Sequence, residues 1–222
     1  MQERIRQVRE NIRQSAIKSG RKPSDISLVA VSKTRSVTEI EAAYAHGIKS
    51  FGENRVQELR NKFEQLPDFN WHMVGSLQTN KVKYIVGKIK LLHSLDRLSL
   101  AEEIDKRARQ KGIVMPVLVQ VNVAKEASKS GLACEEVYDF CVAVSDYTNL
   151  RIEGLMTMAP YCRNPEQVRV VFRELAQLRA RLQHKVPRNI GLSELSMGMS
   201  GDYQVAIEEG ATIIRVGTAI FG

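Results

Sequence analysis

Lys33 closes the run SLVAVSK, a short β-branched segment that ends in an amine. A lysine in that place is either the first solvated residue beyond a strand or a group held at the strand's end inside a site. Side chains alternate between the faces of a strand, so Lys33 shares its face with Val29 and Val31. If those valines point into a closed sheet, Lys33 points there too and is expected to be partly desolvated. Desolvation and nearby cations lower an amine's pKa and free its lone pair, which is what Schiff-base formation with an aldehyde requires.

Two clusters of small residues near the C-terminus point to an anion. In GLSELSMGMSGDY, Ser193, Ser196, Gly198, Ser200 and Gly201 crowd the end of one strand and the start of a helix, and in IIRVGTAIFG, Gly217 and Thr218 follow another strand. Small residues let backbone N–H groups approach an anion, and a helix N-terminus adds partial positive charge. Either cluster alone also reads as an ordinary turn. Arg215 shares parity with Gly217 and stands just inside the last strand, where it either looks across at Lys33 or pairs with a carboxylate such as Glu53 or Glu194. In FGENRVQE, Asn54 either caps the following helix or hydrogen-bonds a ligand. His72, in WHMVGSLQTNKVKYI, reads as a satisfied core histidine, since no second His or Cys stands at ligand spacing to build a metal site.

The elements that must position these residues alternate from end to end. Strands are expected at Ser27–Lys33, Lys49–Gly52, Trp71–Gly75, Leu91–Leu95, Met115–Val123, Arg151–Met158, Glu194–Met199 and Thr212–Gly217. Helical segments fill the gaps at Val37–His46, Asn54–Gln65, Thr79–Val86, Leu98–Gln110, Cys134–Ser145, Pro165–Gln183 and Asp202–Glu209. A leading helix over Glu3–Ser19 carries the apolar stripe Ile5, Val8, Ile12 and Ile17. Strict alternation demands parallel strands, and eight such units close most economically into a (β/α)₈ barrel of the TIM type with an extra N-terminal helix. A doubly wound open sheet is the alternative. Phosphate sites in these barrels are often built after strands seven and eight, which is where the two small-residue clusters fall.

Composition agrees with one α/β domain spanning residues 1–222, because 43% hydrophobic residues in 222 are enough for one sizeable core. The N-terminus MQERIRQVRE has no apolar signal-peptide core and no run of apolar residues is long enough to span a bilayer, so a cytoplasmic protein away from membranes is expected. Cys134, Cys141 and Cys162 are odd in number and lack CxxC spacing, so neither a disulfide framework nor a metal centre is expected. The net charge of +8 comes from dispersed basic residues not interleaved with aromatics, a pattern that suits attraction of small anions rather than nucleic acid.

Taken together, VAVSK, FGENRVQE, WHMVGSLQTNK, EGLMTM, LSMGMSGDY and IRVGTAIFG resemble the pyridoxal phosphate homeostasis protein family over essentially the whole chain. The resemblance implies a barrel similar to the N-terminal domain of alanine racemase that carries pyridoxal 5′-phosphate (PLP). It implies Lys33 as the residue of the internal aldimine, Ser196, Met197 and Gly198 as one part of the phosphate cradle and Gly217 with Thr218 as the other. Arg215 matches the residue that faces the pyridine nitrogen, and Asn54 joins the cofactor-binding set. Racemases of this fold draw a second base from a C-terminal domain, whereas this sequence ends at Phe221–Gly222, directly after the eighth expected strand. The implied function is therefore holding PLP and passing it to apo-enzymes, as a monomer and without a catalytic residue. The alternatives are a racemase-like enzyme using Tyr203 or His72 as an in-barrel base, and a cofactor-free Schiff-base aldolase.

Overall fold

In the computed structural model, which describes residues 1–126 and 130–222, every expected β-branched run becomes a parallel strand. The strands are β1 (Ser27–Val31), β2 (Ser50–Glu53), β3 (Asn70–Met73), β4 (Leu91–Leu95), β5 (Met115–Gln120), β6 (Leu150–Met156), β7 (Glu194–Ser196) and β8 (Ile213–Val216). Each pairs with the next, and β8 pairs with β1 to close the barrel, with Val29 aligned to Arg215 and Ala30 to Val216. The helices are α1 (Gln2–Lys18), α2 (Val37–Ala45), α3 (Val56–Gln65), α4 (Leu98–Gln110), α5 (Val137–Val144), α6 (Arg169–Leu182), α7 (Tyr203–Glu208) and α8 (Thr218–Phe221). The closed barrel replaces the open-sheet alternative.

Alternation of side chains sorts the core into two parts. Val29, Leu91, Leu118, Met156 and Ile213 form a small apolar cluster of their own, against which Met158 packs. Ala30, Phe51, Trp71, Leu92, Val117 and Ile152 belong to the larger cluster shared with the surrounding helices. Each fully buried Leu, Ile or Phe there contributes about 1.5–3 kcal/mol of transfer free energy.

The leading helix buries Ile5, Val8, Ile12, Ser15 and Ala16, while Ile17 is 56% exposed. Ile17 was expected on the stripe, but at about 100° per residue it lies far around the helix from Ile12, and Ala16 takes its place. The helix is tied to the end of the chain through Asn11 Nδ2, which donates to the Tyr203 hydroxyl at 2.8 Å, and through Arg4, which donates to the Ile220 carbonyl. Among the described residues no helix is long and apolar enough to cross a membrane.

The differences from expectation lie at element ends. The first strand stops at Val31, two residues before Lys33, and the segments ending at Val123, Met158 and Met199 also leave the sheet early. Between β3 and β4 the chain makes only a 3₁₀ helix over Thr79–Tyr84, and 3₁₀ turns precede α5 and α6. The α3 N-cap is Arg55, without a side-chain cap, so Asn54 does not cap that helix. α8 follows β8 where no helix was expected.

Neighbouring strands approach closely at Gly154, where an added Cβ would lie 1.9 Å from the Glu194 carbonyl oxygen. Backbone cannot yield as a flexible side chain can. Gly154→Ala is therefore expected to lose at least about 3 kcal/mol of stability, read as a drop in the urea midpoint. Gly201→Ala, where nothing lies within 4 Å of the new methyl, should stay within about 0.5 kcal/mol. Equal midpoints for the two variants would contradict this packing.

Candidate functional site

Arg215 points into the barrel from β8 and is 4% exposed. Its Nη1 donates to Ser196 Oγ at 2.5 Å and its Nη2 to the Thr157 carbonyl at 2.8 Å. Among the described residues no carboxylate lies within ion-pair distance of it, which removes the expected alternative of a partner in Glu53 or Glu194. Glu53 is taken by Lys62 and Ser32, and Glu194 accepts from the Thr212 hydroxyl. Burial lowers the guanidinium to about 10, so it remains a cation at neutral pH.

From Ser196 the contacts continue across the interior. His93 Nδ1 lies 2.8 Å from Ser196 Oγ, and His93 Nε2 lies 3.0 Å from His72 Nδ1. Burial lowers His72 to about 4 and His93 further below its ordinary range, with neighbouring His72 and Arg215 adding to the effect, so both rings are neutral. Their tautomers follow from the one fixed donor, Arg215. If the Ser196 hydroxyl accepts from Arg215 and donates to His93 Nδ1, then His93 Nε2–H donates to His72 Nδ1. The His72 proton then sits on Nε2, which is buried without a partner. The opposite polarity leaves both the serine proton and His72 Nε2 unsatisfied, so the first arrangement is preferred. His72 is thus a core histidine, bonded through Nδ1 to His93, but its buried Nε2 has no partner, so it is only half satisfied. His93 escaped the sequence reading because its partner is 21 residues away; its shared parity with Leu91 in LLHSL was the available signal.

The two small-residue loops do meet. Ser200 Oγ accepts from Gly217 N–H at 3.1 Å and from Ala219 N–H at 3.2 Å. Gly198 has φ 93°, and a Cβ there would lie 2.6 Å from that of Ala206, so the loop requires glycine. Its carbonyl accepts from Arg215 N–H, while Met197 N–H is spent on the Ile213 carbonyl. The Ser196 hydroxyl faces the barrel interior and the Arg215 guanidinium rather than the loops. Thr218 is exposed, and Gly217 abuts β1, an added Cβ lying 3.3 Å from the Val31 carbonyl oxygen. The loop after β8 therefore stands beside the turn that carries Lys33.

Lys33 itself is exposed, not desolvated as strand parity led us to expect. The alternation ends with the strand at Val31, and Lys33 lies in a turn whose next residue, Thr34, has φ 64°. Asn54 is exposed just after β2. Tyr203 is buried, and its hydroxyl accepts from Asn11 on α1.

The parallel barrel, with a buried arginine and two joined Gly/Ser loops after β7 and β8, defines the alanine racemase N-terminal class, and residues 4–222 match the family described as alanine racemase, N-terminal domain. An alanine racemase from Clostridium difficile shares this fold at TM-score 0.75 and 14% identity, covering 96% of this chain and 55% of that one. The chain belongs to the pyridoxal phosphate homeostasis protein family. The member from Aquifex aeolicus is 47% identical over 222 residues, 99% of this chain and 96% of the relative. PipY of Synechococcus elongatus, solved with PLP bound, is 37% identical at TM-score 0.82, covering 96% of this chain and 99% of that one.

The two buried histidines make stability depend on acid. Their pKa values are depressed by folding, so the stability they allow is present above their unfolded value of 6.5 and is lost as pH falls toward the lowered folded values, about 4 for His72 and well below 6.5 for His93. Each adds a slope of about 1.4 kcal/mol per pH unit, or about 2.7 together. Glu53, whose carboxyl is raised by burial, opposes this only in the acid range where its folded form takes up a proton. Urea unfolding free energies should therefore fall by about 2–3 kcal/mol between pH 6 and pH 5, and His93→Gln should flatten the decline by roughly half. A flat profile across that interval would mean the histidines are not held neutral.

Proposed function

We propose that the chain holds PLP reversibly through a Schiff base on Lys33 and serves to limit and distribute this reactive aldehyde, without robust catalysis of its own. Arg215 carries the reading: it is a buried cation whose hydrogen-bond acceptors are a serine hydroxyl and a carbonyl, with the Asp202 carboxylate acting on it from beyond ion-pair distance, so a nearer anionic or acceptor group would be welcome beside it.

The donor set fits the cofactor. The N–H groups of Gly217 and Ala219 converge on Ser200 Oγ, which a phosphate oxygen would replace as their acceptor, and Gly198 lets the β7 loop pack against α7 beside them. Gly217 and Thr218 would hold the phosphate from the β8 side and Gly198 from the β7 side, where Met197, its own N–H bonded to the Ile213 carbonyl, would set the position of Gly198, and Asn54 would contact the ligand from the end of β2. Ser196 belongs to the same set by orienting Arg215. When bound, the cofactor supplies an electron-withdrawing pyridine ring, and a guanidinium facing its nitrogen is a donor that leaves that nitrogen unprotonated and the ring a weak electron sink. The histidines hold Arg215 in place through Ser196.

The non-catalytic reading draws support from the same geometry. His72 and His93 are neutral, weakly basic and tied to each other, and the Tyr203 hydroxyl is occupied by α1. The PLP homeostasis names of the relatives point the same way. Delivery to apo-enzymes, action as one monomeric domain and a cytoplasmic place complete the proposal; against the racemase-like alternative stands the low basicity that burial gives His72 and His93.

Purified protein loaded with PLP should show a visible absorbance band that borohydride abolishes, leaving a pyridoxyl group that peptide mapping places on Lys33. Lys33→Ala should lose the band while retaining weak, noncovalent binding. Absence of both band and label in the parent protein would sink the proposal, and steady loss of α-proton label from an amino acid, well above free PLP, would favour the racemase-like alternative.

A further inference from the structure

Lys33 is placed by its neighbours, since among the described residues its own amine has no hydrogen-bond or ion-pair partner. Ser32 is completely buried. Its hydroxyl donates to Glu53 Oε1 at 2.6 Å, and its carbonyl accepts from Lys62 Nζ at 2.8 Å. Lys62 Nζ also donates to Glu53 Oε1 at 2.8 Å and lies 3.6 Å from Glu58 Oε2. On the other side of Lys33, the Thr34 N–H donates to Glu58 Oε2 at 2.8 Å. Side chains from the end of β2 and from α3 thus grip both residues that flank Lys33.

Two features show that this grip sets a conformation rather than filling space. Thr34 has φ 64°, a region that β-branched residues adopt only where the surroundings impose it. Glu53 and Lys62 are also buried, at 0% and 7% exposure, where apolar residues of similar size would avoid the desolvation of two charges. An ion pair adds direction: each hydrogen bond to Ser32 has one geometry, and the pair cannot slide without leaving a charge unmet.

We propose that Lys62 is a positioning residue for Lys33: paired with Glu53, it locks the Ser32–Thr34 turn so that the Lys33 amine stands ready at the barrel mouth before a ligand arrives. This role rests on the reading of Lys33 as the lysine that carries PLP. Holding the turn beforehand spares the ordering cost that covalent capture would otherwise meet.

The test uses two variants of the full chain. Glu53→Gln combined with Lys62→Met removes both charges together and leaves no lone buried ion, and Glu58→Ala releases Thr34 and the longer contact to Lys62 while keeping the Lys62–Glu53 pair. Each is titrated with PLP, read by visible absorbance and by borohydride fixation mapped to Lys33. Each is also titrated by calorimetry with pyridoxine 5′-phosphate, which lacks the aldehyde and reports on the rest of the site. Fixation at Lys33 is expected to slow about tenfold in the double variant and about threefold in Glu58→Ala, with pyridoxine 5′-phosphate affinity within about twofold of the parent. Unchanged fixation overturns the role, and so does an equal loss for both ligands, which would mark general damage to the site. Should the double variant not fold, Glu58→Ala decides by the same outcomes. A parent protein that fixes nothing on Lys33 overturns the reading of Lys33 and the role built on it.

Discussion

The hydrogen bonds between β8 and β1, with Val29 aligned to Arg215 and Ala30 to Val216, close the sheet and set the geometry of the site. Closure in this register turns Arg215 inward on the strand next to Val29. It brings the Gly217 loop against the end of β1. It also lets the loops after β7 and β8 meet, so that one serine oxygen gathers N–H groups from the other loop. A shift of one residue would turn Arg215 out among the helices and change which residues of the β8 loop stand beside the end of β1.

The interior manages its buried charges in two ways. Arg215 is satisfied by neutral acceptors, with the histidines extending the contacts across the barrel, so its charge is solvated by the protein without being cancelled. Glu53 and Lys62, on the other side of the sheet wall, neutralise each other and direct the Ser32 turn. Removing one member of either set would leave a buried polar group without a partner, which is the costly way to break such networks.

Periodicity made the barrel readable before any coordinates, because a strand of parallel type and a helix each leave a pattern within their own few residues. Lys33, Gly198, Arg215 and Gly217 stood out for the same local reason: a cation or a glycine at a strand end is conspicuous. Parity failed at Lys33 because the alternation rule holds only while the backbone stays extended, and β1 ends at Val31. The capping role offered to Asn54 failed likewise, as the helix begins at Val56, two residues after the start its sequence pattern implied. His93, Ser200 as a bridge between loops, and the Lys62 grip were invisible because each depends on partners brought together by the fold.

The sequence by itself determined the alternation of strands and helices, the order of the loops and the kinds of group available at strand ends, since these follow from short-range sterics and hydrophobic pattern. Only the tertiary structure decided which of those groups touch. Whether Arg215 met a carboxylate or a serine, which histidine completed His72, and what held the turn around Lys33 were settled by register and closure. Those are long-range properties: hydrogen bonds between β8 and β1 join residues from opposite ends of the chain, and no local spacing encodes which side chains they will bring face to face.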